Sequence, residues 1–185
     1  FILVRHGQIR QHKEKIFLGQ TDVPLSQVGI DQAREAGTVV GSLEPETDRI
    51  YASNLARAWE TGEAIAVTLG TDPEIVPVPG FREMSLGDWD GRFISEIRRE
   101  EPDAYRLRGK YIWSYKKGNR SENFYDLQYR VVKALIQLLK EDPRRDIIIV
   151  AHKGVLRAIE NNLKGGCVSD DWKAMDNGEV RVVEL

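Results

Sequence analysis

Residues 147–150 read Ile-Ile-Ile-Val, four β-branched apolar residues in succession with no polar alternation. A strand with one wet face alternates apolar and polar side chains. A run apolar on both faces therefore fits a strand covered from both sides, the central position of a parallel sheet. Residues 1–4 (Phe-Ile-Leu-Val) form a second such run, and residues 49–52 a shorter strand candidate. Residues 75–78 are a third, interrupted by proline and so expected near a sheet edge. Residues 180–185 read as a final strand.

Between these runs the apolar period becomes helical. Ser26 is a suitable N-cap for a helix carrying Ile30, Ala33, Gly37, Val40 and Leu43, which Pro45 closes. Ser53 can cap the next, with Leu55, Trp59, Gly62, Ile65, Ala66 and Leu69 on one face and Gly70 at its end. A short helix is expected over residues 93–101, ended by Pro102. A longer one begins near Ser121, turns Phe124, Leu127, Val131, Leu135 and Leu138 inward, and is followed by Pro143. Residues 154–163 form another. Strands alternating with helices predict an α/β fold, a three-layer α/β/α sandwich around a mainly parallel central sheet. The 185 residues, 41% hydrophobic, suffice for one domain spanning 1–185, as a monomer or a homodimer. No repeat, low-complexity tract or linker divides it, although residues 80–120 form a polar excursion.

The 27 basic and 29 acidic residues leave a net charge of −2. Such a balance creates no global field for nucleic acid or an anionic membrane, so neither is expected as a partner. No apolar run approaches the roughly 18 residues of a membrane span, and no signal peptide is visible. Cys167 is the single cysteine and cannot form an internal disulfide, which points to the cytoplasm. The chain opens at Phe1 rather than Met, so an address ahead of it is left open.

Two of the three histidines sit just past strand candidates, His6 after residues 1–4 and His152 after residues 147–151. Ligands of open parallel sheets bind beyond the carboxyl ends of strands. If those two strands are neighbours, both imidazoles face one crevice. Arg5 precedes His6, Arg57 lies one turn into the helix after residues 49–52, and Glu83 follows the third strand candidate. Two imidazoles, two guanidinium groups and a carboxylate suit phosphoryl transfer. Imidazole can attack phosphorus and hold the group covalently, and arginine forks match phosphate oxygens. A carboxyl group can protonate the leaving oxygen and then deprotonate water.

Residues 1–7 (FILVRHG) resemble the opening of the histidine phosphatase superfamily, in its phosphoglycerate mutase-like branch. Residues 19–26 (GQTDVPLS) look like its GQxDxPLT segment, and Gly29 with Gln32-Ala33 fits the GxxQA that follows. Residues 51–61 (YASNLARAWET) are similar to YSSxLxRAxxT. Phe81-Arg82-Glu83-Met84 with residues 87–91 (GDWDG) resembles LREx…GxWEG, and residues 149–152 resemble the second histidine motif. The resemblance implies a phosphoglycerate mutase-like fold and phosphomonoester hydrolysis through a phosphohistidine at His6. Glu83 would be the proton donor, and Arg5, Arg57 and His152 would surround the phosphate. Gly7, His12, Gln20 and Lys153 are further candidate substrate contacts. No metal or cofactor is implied, and the histidines offer no helical HxxxH pair for zinc.

The chain departs from the pattern in four places. Ile9 and His12 replace the Thr and Asn of RHGxTxxN, Ser121-Glu122-Asn123 stands where GES is common, and Lys153 follows the second histidine. Its compact length resembles the phosphatase group that includes the α-ribazole phosphatases. A mutase-type phosphoryl transferase and a non-catalytic phospho-ligand binding module are the alternatives. Residues 106–120 combine basic side chains with Tyr111, Trp113 and Tyr115 and contain no acid. They are expected to cover the crevice as a lid over a small phosphorylated substrate, with Lys116 and Lys117 contributing to its KM.

Overall fold

The computed structural model describes residues 1–10, 14–143, 146–165 and 172–184. Its strands are β1 (Ile2–Arg5), β2 (Arg49–Ala52), β3 (Glu74–Pro77), β4 (Ile148–Ala151) and β5 (Val180–Val182). Its helices are α1 (Gln27–Ser42), α2 (Ala56–Leu69), α3 (Ile94–Glu100), α4 (Pro102–Lys110), α5 (Phe124–Glu141) and α6 (Lys153–Leu163). The strands form one sheet in the order β3-β2-β4-β1-β5. The all-apolar β4 is central, buried throughout and parallel to both β1 and β2. β3 occupies one edge, where Pro77 breaks no ladder on its open side. β5 closes the other edge and alone runs antiparallel.

Period-two alternation sorts the strand side chains into two cores. Ile2, Val4, Ile50, Ile148 and Val150 pack with Ala36 and Val40 of α1 and Ala58 and Ile65 of α2. Leu3, Tyr51, Ile149 and Ala151 turn the other way, onto Leu127, Val131 and Leu135 of α5 and Val155, Leu156 and Ile159 of α6. The result is the expected three-layer sandwich. Truncating a fully buried side chain such as Ile149 to Ala would cost about 2–5 kcal/mol.

The inward face expected for α5 is the buried one. Its start is set by a capping box between Asn123 and Asp126, three residues past the expected position near Ser121. Ser26 caps α1, accepting from the Gly29 N–H. Ser53, in contrast, does not cap α2. Leu55 is the N-cap residue, and Asp22 Oδ1 accepts the Ala56 N–H at 2.7 Å. Leu43, expected inward, is the C-cap of α1 and exposed. Pro102 follows α3 as expected but also opens α4, a helix the sequence reading did not separate. Proline lacks an N–H, and its fixed φ suits the first helical turn. Within residues 80–120, Leu86, Trp89 and Ile97 build a small core of their own with Phe17, Tyr105 and Tyr115. Among the described residues, no helix is long and apolar enough to cross a membrane.

Candidate active site

The strand order sets the carboxyl ends of β1, β4, β2 and β3 side by side, and each is followed by one of the expected residues. His6 follows β1, and its backbone N–H donates to Ala151 O of β4 at 3.0 Å. His152 follows β4, Arg57 lies in the first turn of α2 after β2, and Glu83 comes after β3. A cleft of about 400 Å³ opens at this edge, lined by Arg5, His6, Arg57, Glu83 and Lys153. Gln8, Ile9, Leu18 and Asn177 complete its wall.

The local hydrogen bonds fix the protonation of both imidazoles. His6 Nδ1 lies 2.8 Å from Gly7 O. A carbonyl only accepts, so Nδ1 carries the proton and Nε2 keeps its lone pair in the neutral ring. Burial, then the positive charge of Arg57, pushes the His6 pKa down to about 3. The ring is thus neutral at any ordinary pH, with its lone pair on Nε2. His152 Nδ1 accepts from Arg57 Nε at 3.2 Å, so its proton sits on Nε2, 2.8 Å from Ser53 Oγ. Its pKa is lowered well below the usual value by burial, then by His6 and Arg57.

Arg57 is only 1% exposed. Besides His152 it donates to Thr21 O at 3.0 Å and to Gly19 O at 2.7 Å. Those three bonds leave further N–H groups of its five. Asp90 shapes the loop that presents the two carbonyls, accepting from the N–H groups of Gly19, Gln20 and Thr21. Arg5 donates to Met175 O at 2.6 Å. Burial lowers the pKa of both guanidinium groups, opposed chiefly by the negative charge of Glu83.

Glu83 is held from two directions. Its Oε1 accepts the Met84 N–H at 2.9 Å and its Oε2 the Gly154 N–H at 3.2 Å, in the first turn of α6. The Gly154 N–H is one of the donors that the start of a helix leaves without an intrahelical partner. A Cβ at Gly154 would lie 2.6 Å from Glu83 Oε1, so only glycine lets the carboxyl group approach this closely. Behind it, Arg130 grips both oxygens of Glu122 at 2.8 Å and donates to the carbonyls of Gly80, Arg82 and Glu83. Glu122 in turn accepts the Ser85 N–H at 2.9 Å.

Gly7 and Gln20 have their polar groups engaged within the protein. The Gly7 N–H donates to Thr61 Oγ1, and its carbonyl orients His6. A Cβ there would lie 2.2 Å from Gly29 O. The Gln20 amide donates to Glu83 O at 3.0 Å, steadying the carboxylate's loop. Lys153 lines the cleft. His12 and Cys167 lie outside the described residues. Sequence reasoning missed Asn177, whose Nδ2 donates to His6 O at 2.9 Å and to Gly7 O at 3.3 Å. It also missed Gly154 and Arg130, and it read Asp90 within the GDWDG segment without assigning it a role. Glu122 was legible as a kept motif residue but not as the partner of Arg130. Among the described residues, no group of three or more His, Cys, Asp or Glu side chains is placed to hold a metal ion.

The basic run at 106–120 is mostly neutralised. Lys116 pairs with Asp126, Lys117 with Glu101, Arg120 with Asp88 and Arg106 with Asp103. Trp113 meets Phe124 edge to face, with ring centroids 4.5 Å apart, and Tyr115 stacks on Trp89. The charges of Lys116 and Lys117 are therefore spent on the protein's own carboxylates. Their expected effect on KM has no direct structural support.

A family model described as "Histidine phosphatase superfamily (branch 1)" matches residues 1–185. The metal-independent phosphoserine phosphatase of Arabidopsis thaliana is 33% identical over 158 residues, 85% of this chain. The match spans 66% of that protein's own length. The adenosylcobalamin/alpha-ribazole phosphatase of Escherichia coli is 26% identical over 170 residues, 92% of this chain and 81% of that one. The crystal structure of the alpha-ribazole phosphatase from Shigella flexneri superposes with a TM-score of 0.84 at 25% identity. That superposition covers 97% of this chain and 87% of the other.

Proposed function

The chain belongs to the histidine phosphatase superfamily, branch 1, and on that footing we propose that it hydrolyses a small phosphomonoester through a phosphohistidine, without a metal. The observation that carries the reading is the His6 Nδ1 contact to Gly7 O. It commits the ring proton and leaves Nε2 as a lone pair at a cleft lined by Arg5 and Arg57.

In the first half-reaction His6 Nε2 bonds to phosphorus as the bond to the ester oxygen breaks. The Glu83 carboxyl group gives its proton to that leaving oxygen. In the second, water attacks phosphorus, Glu83 takes the water's proton, and the N–P bond breaks to restore neutral His6 and free phosphate. Arg5 and the uncommitted N–H groups of Arg57 stabilise charge on the equatorial oxygens. His152 keeps Arg57 and Ser53 in register beside the nucleophile. Lys153 adds positive charge at the cleft mouth.

Hydrolysis is favoured over mutase-type transfer because both curated relatives described above are named as phosphatases. A binding module would not need a committed nucleophile beside a carboxyl group. The site is built within one chain, so monomer and homodimer are both compatible with it. A cytoplasmic setting is proposed on the single cysteine, which requires no oxidising compartment.

The test is release of p-nitrophenol from p-nitrophenyl phosphate, with an alkaline denaturing quench to trap the phosphoenzyme, whose label should then be lost on brief acid treatment as an N–P bond requires. His6→Ala should abolish both signals. Undiminished turnover in that variant, or faster interconversion of 2- and 3-phosphoglycerate than phosphate release, would reject the proposal.

A further inference from the structure

A second cavity of about 360 Å³ adjoins the phosphate-facing cleft and shares Leu18, Glu83 and Lys153 with it. Its wall is mostly carbon, from Phe17, Leu86, Ile112, Phe124 and Trp172. The wall is braced. The Arg157 guanidinium lies 4.5 Å from the Trp113 ring centroid and 5.6 Å from those of Phe124 and Trp172, and Trp172 Nε1 donates to Glu160. Such a pocket takes a flat or apolar group and excludes water from it.

Arg108, near the end of α4, also lines this cavity, with its guanidinium 4.9 Å from the Phe17 ring centroid. Four other cations of the same excursion are paired with carboxylates. Among the described residues, no carboxylate pairs with Arg108. Lys153 stands at the boundary of the two cavities and likewise has no carboxylate partner among the described residues. The acid in the lining is Glu83, already committed to the backbone of Met84 and Gly154. A half-buried guanidinium with no counter-ion among the described residues, set among apolar walls, is a site for an anion, and its planar fork matches a carboxylate.

We infer that the substrate's leaving group fills this second cavity and is a carboxylate-bearing body with an apolar or ring-shaped face, its carboxylate paired with Arg108. The inference rests on the phosphomonoester reading above and narrows it. The phosphate sits with Arg5, His6 and Arg57. The ester oxygen lies beside Glu83, at the shared wall. The remainder of the molecule extends under α4, with its acid group at the far end. Lys153 then neutralises charge between the two ends.

The experiment compares kcat/KM for phenyl phosphate and its 3- and 4-carboxy derivatives in the wild type, Arg108→Gln and Lys116→Gln. Comparing one ester across variants cancels leaving-group chemistry. The expected result is that Arg108→Gln lowers the carboxylated-to-plain ratio about tenfold for at least one isomer, the scale of a lost charge-assisted hydrogen bond. Lys116→Gln should leave that ratio alone. A ratio unmoved by Arg108→Gln for both isomers would overturn the inference. Absence of His6-dependent turnover on every ester would instead reject the hydrolase reading. Calorimetric binding of the same esters to His6→Ala, with and without Arg108→Gln, then reads the subsite by itself. Tighter binding of a carboxylated ester that is lost with Arg108 supports it, and equal binding of all esters overturns it.

Discussion

The rings of His6 and His152 lie with centroids 5.1 Å apart, tilted at 56°, just past the carboxyl ends of the neighbouring parallel strands β1 and β4. Their hydrogen bonds are opposite in sense. His6 donates through Nδ1, whereas His152 accepts there from Arg57. With the His6 pKa pushed down to about 3, its ring should gain no proton above about pH 5, and burial lowers the pKa of His152 in the same direction. The His6 ring resonances, assigned by substitution, should stay unshifted in an NMR titration from pH 8 to pH 5. A midpoint near the unperturbed value of about 6.5 for His6 would remove the basis for a preformed nucleophile.

The same depression makes acid destabilising. The unfolded chain binds protons at its histidines as pH falls through about 6.5, while folded His6 does not until about pH 3. Stability is therefore complete above pH 6.5 and is lost as pH falls between those values. The slope is at most about 1.4 kcal/mol per pH unit for each such histidine. Urea midpoints measured from pH 7.5 to pH 4.5 should fall more steeply for the wild type than for His6→Gln. Parallel curves would show that His6 protonates in the folded state.

What was legible in the sequence was whatever local pattern controls. The run Ile148–Ile149–Val150 located the central strand, and the apolar spacing of α5 gave its buried face. The positions of His6, Arg57, Glu83 and His152 followed from where strands end. What escaped were partners brought together by tertiary contact. Arg130 reaches the loop before Glu83 from a helix that begins some forty residues later in the chain. Asn177 meets the end of β1 from the far end of the chain. Neither pairing leaves a periodicity or a short spacing to read. Pro102 was a misleading signal for another reason. The same residue can stop one helix and start the next, as it does between α3 and α4.

Arg130 should act on turnover through the loop that carries Glu83. Its fork binds both Glu122 oxygens and three carbonyls of residues 80–83. Arg130→Lys keeps the charge but cannot make that set of bonds. The expected loss of stability is about 1–3 kcal/mol, since the stranded carbonyls and carboxylate are only partly reached by water. The kcat for alkyl phosphates should fall with little change in the binding of inorganic phosphate, read by calorimetry. Full activity in Arg130→Lys would show that Glu83 is held well enough by Gly154 and Gln20.

Gly154→Ala separates the position of Glu83 from its chemistry. The new methyl would meet Glu83 Oε1 at 2.6 Å and Leu127 Cδ2 at 3.1 Å, both ends of flexible side chains. The fold can therefore accommodate it by displacing the carboxyl group. A proton donor matters most when the leaving oxygen is basic. Alkyl phosphates need the proton, and p-nitrophenyl phosphate, which leaves as a stable anion, scarcely does. Gly154→Ala should accordingly lower kcat for an alkyl phosphate by about 10²-fold, with a much smaller effect on p-nitrophenyl phosphate. Glu83→Gln should show the same leaving-group dependence, more strongly. If both esters slow equally in Gly154→Ala, the substitution has disturbed phosphate binding rather than the acid, and the placement of Glu83 beside the leaving oxygen is wrong.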